Sequence, residues 1–170
     1  MEKGRLWARA LAVLTAAVGL AALMGCQATE PEPTSEELML VIDLDTEDDI
    51  GLLVIDYEGE GVEGSGGVSN ADKTVLRRGE KLFFTLDKEQ EHYDDPDKLE
   101  NLTVRFSVVD PGIEPNIDNV YPAESVSPLE PVTVPVSFGE STHLAVRGSR
   151  PDGYTAELLK AADGQTKEAS

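Results

Sequence analysis

Five acids within seven residues, Asp43, Asp45, Glu47, Asp48 and Asp49, form the densest set of potential cation ligands in the chain. Hard cations such as Ca²⁺ take six to eight oxygens, most of them from carboxylates and carbonyls. Asp43, Asp45 and Glu47 alternate as at the start of a calcium loop. An EF-hand needs Gly where Asp48 stands, Glu where Val54 stands and helices on both sides. The flanking residues here read as strands. Asp43, Asp45, Glu47 and Asp49 are thus the candidates for a hairpin-tip Ca²⁺ site. The simpler reading, a solvated turn whose charges block edge pairing, is preferred.

The other constellations are weaker. His92 is followed by Asp94, Asp95 and Asp97, but the chain has only two histidines, His92 and His143, and one cysteine, Cys26. That excludes a zinc site of His and Cys type. The acidic loop around His92 reads as a solvated connection, and His143 as a surface histidine. Ser65 lies among Gly64, Gly66 and Gly67, yet the pattern is not G-x-S-x-G and no helix follows it. Residues 58–67 include five glycines and read as a flexible acidic loop. No catalytic set and no cofactor loop emerges, and the expected protein is not an enzyme and carries no cofactor.

Net charge is −19. Lys3, Arg5 and Arg9 against Glu2 give the first 25 residues a charge of +2, so the remainder carries −21. Such a surface repels nucleic acid, which is excluded as a partner. No Lys or Arg occurs between Arg9 and Lys73, while residues 30–63 contain thirteen acids. That half of the protein could face a cationic partner, or keep the domain off an anionic membrane.

Residues 1–9 are basic and residues 10–24 carry no charge. Fifteen residues is short of the ~20 that a membrane span needs. A basic start, a short apolar stretch and small residues at its end describe a secretory signal. The stretch ends Leu23-Met24-Gly25-Cys26. This resembles the lipobox of bacterial lipoproteins, with Met24 in a place where small or β-branched residues are commoner. The resemblance covers residues 1–26 and implies cleavage between Gly25 and Cys26. It also implies lipid on Cys26, the only cysteine, and attachment to the extracytoplasmic face of the cell membrane. Two acyl chains make such attachment stable where one does not.

Four parts follow: a signal over residues 1–25, a lipidated Cys and acidic, Pro-containing tether over 26–37, a domain over 38–160 and a disordered tail over 161–170. Within the domain the dominant period is two. Leu102, Val104, Phe106 and Val108 alternate with Thr103, Arg105 and Ser107, the pattern of a half-buried strand. Val132, Val134, Val136 and Phe138 alternate likewise, and Pro135 places that strand at an edge. Leu144 and Val146 follow a Gly139-Glu140 turn, which predicts a hairpin. Residues 38–45 and 50–57 predict a second hairpin, central in a sheet. Strands are also predicted at 74–78, 82–86 and 154–159, with a weaker one at 116–121, and no helix. Seven to nine short strands predict an all-β, two-layer antiparallel β-sandwich, similar in strand spacing to Ig-like or transthyretin-like folds.

The expected function is a non-enzymatic binding or accessory module, anchored outside the cell membrane and acting on an unknown envelope protein or polymer. The alternatives are a carbohydrate- or calcium-binding envelope module and an enzyme of unrecognised type. The carbohydrate option is weakened because the only tryptophan, Trp7, lies in the signal.

Overall fold

A computed structural model describes residues 30–89 and 96–159. The chain divides into two units, Met1–Pro31 and Glu32–Ser170, and the described residues belong almost wholly to the second. Its described residues form an all-β sandwich of nine strands: β1 (Glu37–Thr46), β2 (Leu52–Gly59), β3 (Val62–Val68), β4 (Lys81–Asp87), β5 (Asn101–Val109), β6 (Val126–Pro128), β7 (Val132–Pro135), β8 (Ser141–Ser149) and β9 (Gly153–Leu158). The first sheet has the order β4-β1-β8-β9. The second has the order β3-β2-β5-β6, with β7 also pairing β5. Short 3-10 turns occur at Pro96–Lys98 and Ala123–Ser125.

Alternation builds both layers. Leu102, Val104 and Phe106 of β5 point inward and are fully buried, while Asn101, Thr103 and Arg105 are exposed. Leu53, Ile55 and Tyr57 of β2 and Leu38, Leu40, Ile42 and Leu44 of β1 meet them in one core. β1 departs from alternation. Met39 and Val41, on its other face, are also buried. A near-continuous apolar run suits a strand buried on both faces.

The structure corrects the expected pairings. Residues 38–45 and 50–57 do not form a hairpin, since β1 and β2 lie in different sheets. The acidic link crosses between layers, and the Oγ1 of buried Thr46 donates to the carbonyl of Asp48 at 2.9 Å. Ile50, fully buried, bridges Leu76. β7 and β8 also lie in different sheets, so the second expected hairpin is absent too. The sandwich is not wholly antiparallel, because β1 and β8 pair in parallel. Residues 74–78 contribute only the Leu76 bridge, and residues 116–121 form a turn in which the Asn116 Oδ1 accepts from the N–H groups of Asp118 and Val120. Pro135 does lie at an edge, where β7 pairs β5 alone.

The glycine-rich stretch is strand, not loop. β2 and β3 form a hairpin around Glu60-Gly61, with Gly61 at φ 71°. That conformation suits Gly at the second position of a two-residue turn. The glycines beyond it make room for aromatics. A β-carbon on Gly64 would stand 2.2 Å from the Tyr57 hydroxyl oxygen, and one on Gly66 would stand 2.6 Å from Phe84 Cε2. Tyr57 and Phe84 themselves pack with their rings tilted at 57° and 5.9 Å between centroids.

At the start of the domain, ordered contacts reach back into the stretch read as tether. The N–H of Glu37 donates to the Thr34 carbonyl, and the N–H of Gly139 donates to the Glu37 carbonyl at 2.7 Å. Lys88 lies 3.9 Å from Glu36 and 4.5 Å from the centre of the Phe138 ring.

Candidate functional site

The two outer faces of the sandwich carry charge in different ways. On the first sheet, Asp43 and Asp45 of β1 share the outer face, as period two requires. Their register partners are bases. Asp43 is opposite Lys81 of β4, with 2.8 Å between Nζ and Oδ1. Asp45 is opposite Arg147 of β8, with Nε 3.4 Å from Oδ2, and Arg78 approaches its other oxygen at 2.6 Å. Arg147 also pairs Glu157 of β9. Asp43 and Asp45, which precede every base of the domain in sequence, are thus neutralised across the sheet by bases that follow them.

Glu47 and Asp49 are exposed in the link between layers, and the N–H of Glu47 donates to the Gly148 carbonyl. Asp48 turns toward the β8–β9 turn. Its Oδ2 accepts from the Arg150 N–H at 2.6 Å and from the Tyr154 hydroxyl at 3.3 Å. The Arg150 guanidinium pairs Asp110 and donates to the Glu124 carbonyl. This cluster ties the β1–β2 link, the end of β5 and the β8–β9 turn together at one pole. Burial pushes the Tyr154 phenol above its usual range, and the Asp48 charge adds to the shift. Among the described residues, no group of three or more His, Cys, Asp and Glu side chains is arranged to hold a metal. His143 is half-buried on the outer face of β8, opposite Val41. Gly25, Cys26 and His92 lie outside the described residues.

The outer face of the second sheet differs. Asp56, Glu58, Glu63, Ser65, Thr103 and Arg105, from β2, β3 and β5, line an open depression of about 420 Å³. Asp56 and Arg105 are register partners, as are Glu58 and Glu63. Among the described residues, none of these four charged side chains is in an ion pair. Two like charges directly opposite, Glu58 and Glu63, are unfavourable to the fold. The sequence reading missed this face because it placed residues 58–67 in a loop. The two-residue Glu60-Gly61 turn is the signal that could have revealed it.

The residues so arranged define an all-β, two-sheet sandwich with one self-neutralised face and one polar face left open. No family model matches the chain, and no curated protein does. Among solved structures, the membrane-binding domain of pneumolysin is 11% identical, with a TM-score of 0.36, covering 75% of this chain and 99% of that one. A disulfide-locked mutant of intermedilysin with human CD59 is 10% identical, with a TM-score of 0.37, covering 74% of this chain and 24% of that one. Listeriolysin O is 11% identical, with a TM-score of 0.35, covering 73% of this chain and 23% of that one. At TM-scores this low, the likenesses carry neither family nor function across to this chain. Among the described residues, no helix is long and apolar enough to cross a membrane.

Proposed function

We propose that this chain is a lipid-anchored, extracytoplasmic binding or accessory module without enzymatic activity. Cys26 holds it at the membrane, and the outer face of the second sheet meets its partner. The observation that carries the reading is the asymmetry of the two faces. Asp43 and Asp45 have bases opposite them, whereas Glu58 and Glu63 oppose each other and, among the described residues, Asp56 and Arg105 form no ion pair. A fold that neutralises one face and leaves unpaired charge on the other retains donors and acceptors for a ligand. The anchor rests on the Leu23-Met24-Gly25-Cys26 end of the leader and on the single cysteine.

A cell-envelope carbohydrate module is the second reading. The depression offers carboxylates, a guanidinium and the Thr103 hydroxyl, all of which bond sugar hydroxyls.

The test is site-specific photocrosslinking on intact cells. A crosslinker at position 58, on the open face, should label an envelope component. One at Thr85, exposed on the first sheet, should not. Equal labelling from both positions, or none from either, overturns the assignment of the face. Cys26→Ser should move the protein out of the detergent phase. If wild type and variant partition alike, the anchor is wrong.

A further inference from the structure

Among the described residues, β3 ends the second sheet and pairs β2 alone. Gly59 and Val62 flank the two-residue turn as register partners and exchange both backbone bonds. Mutually bonded pairs then alternate along the hairpin. Val62, Gly64, Gly66 and Val68 direct their backbone groups to β2, whereas Glu63, Ser65 and Gly67 direct theirs to the open side. Those three residues are exposed, and among the described residues their outward N–H and C=O groups have no backbone partner. Proteins usually blunt such an edge with Pro, Lys or a bulge. β3 has none of these, and its only charged residue is Glu63.

We infer that the β3 edge accepts an extended segment of a basic partner protein as an added strand, a recognition mode in which main-chain bonds give affinity and alternate side chains give specificity. The inference rests on the binding reading above and names the partner's chemistry. Charge sets the first half of that chemistry. Glu58, Glu63 and Asp56 line the outer side of this edge, with Glu60 at the turn, and residues 30–72 contain no Lys or Arg. Phe84 sets the second half. Its ring lies over Gly66 and is only half-buried. An incoming strand presents alternate side chains to the two faces. One set lies beside Glu63 and is basic; the other lies beside Phe84 and is apolar. The segment therefore alternates Lys or Arg with apolar residues.

The test uses the full chain in detergent and three synthetic peptides: one alternating Lys and Val, its Glu-for-Lys counterpart, and the Lys-Val peptide N-methylated on the backbone face that would pair. Fluorescence anisotropy should show binding of the first only, weakening as salt is raised. Ser65→Pro removes the central outward N–H while sparing the ladder to β2, and should weaken binding about tenfold or more. Glu58→Lys with Glu63→Lys, at two exposed positions, keeps the backbone intact and should reverse the preference toward the Glu-Val peptide. Amide resonances of Glu63, Ser65 and Gly67 should shift on titration of the Lys-Val peptide. The inference is overturned by equal binding of all three peptides, by undiminished binding to a folded Ser65→Pro variant, or by an unchanged preference after charge reversal. If the Lys-Val peptide fails to bind while position 58 still crosslinks an envelope component, the edge is wrong and the binding face stands. If position 58 also labels nothing, both fall.

Discussion

Phe84 of β4 lies so close over Gly66 of β3 that a β-carbon there would stand 2.6 Å from the ring's Cε2. The contact spans the two sheets, so neither partner can yield without disturbing the edge of the core. Gly66→Ala should destabilise the fold by about 1–3 kcal/mol, the usual cost of overpacking. Urea melts should show this. In a Phe84→Leu background the added penalty should shrink, and an unchanged penalty would mean that the ring is not what Gly66 accommodates.

Among the described residues, Phe106 is the largest fully buried side chain, at the middle of β5. Phe106→Ala should cost about 3–5 kcal/mol, the sum of lost burial and a residual cavity. A loss below about 1 kcal/mol, typical of surface positions, would contradict the register of β5 against β2.

Calcium should find no defined site at the acidic link. Asp43 and Asp45 face Lys81, Arg78 and Arg147, and Asp48 is turned toward Arg150. Calorimetry of the full chain with Ca²⁺ at about 0.15 M salt, where diffuse attraction is screened, should show no stoichiometric micromolar site. Finding one that Asp45→Asn abolishes would reverse this expectation.

Tyr154 makes stability sensitive to alkali. Its phenol is held above the usual range by burial first and by the Asp48 charge second. The proton is therefore held more tightly in the folded chain than in the unfolded one. The resulting stability is intact below the ordinary phenol range and is lost as pH rises through Tyr154's own, higher value. Difference absorbance between wild type and Tyr154→Phe should place this titration above that of an ordinary tyrosine. Asp48→Asn should bring it down, though not fully, because burial remains. Titration in the ordinary range would contradict the packing of the β8–β9 turn.

Much of the strand content was legible, because alternation is a local property. β5 was readable from four apolar residues at every second position, and Pro135 marked its strand as an edge since it has no N–H to donate. β3 was hidden. Its inward positions include Gly64 and Gly66, whose missing side chains erase the apolar half of the pattern while the aromatics that fill the space come from β2 and β4. The open face was half visible, in the polar positions of β2 and β5, and lost its third strand for the same reason.

Partnership between strands lay beyond local reading. The acidic link after β1 and the Gly139-Glu140 turn after β7 are short and polar enough to pass for hairpin turns, yet each connection carries the chain from one sheet to the other, with Ile50 and Val136 buried on the way. Composition showed that residues 30–63 are rich in acids and devoid of bases. Only the tertiary structure showed that Asp43 and Asp45 meet Lys81 and Arg147, while Glu58 meets Glu63. The periodicity of a strand fixes which side chains share a face, through geometry repeated every two residues. The strand that lies alongside is fixed by burial and register among residues far apart in the chain, and those decide which charges are neutralised and which are left for a partner.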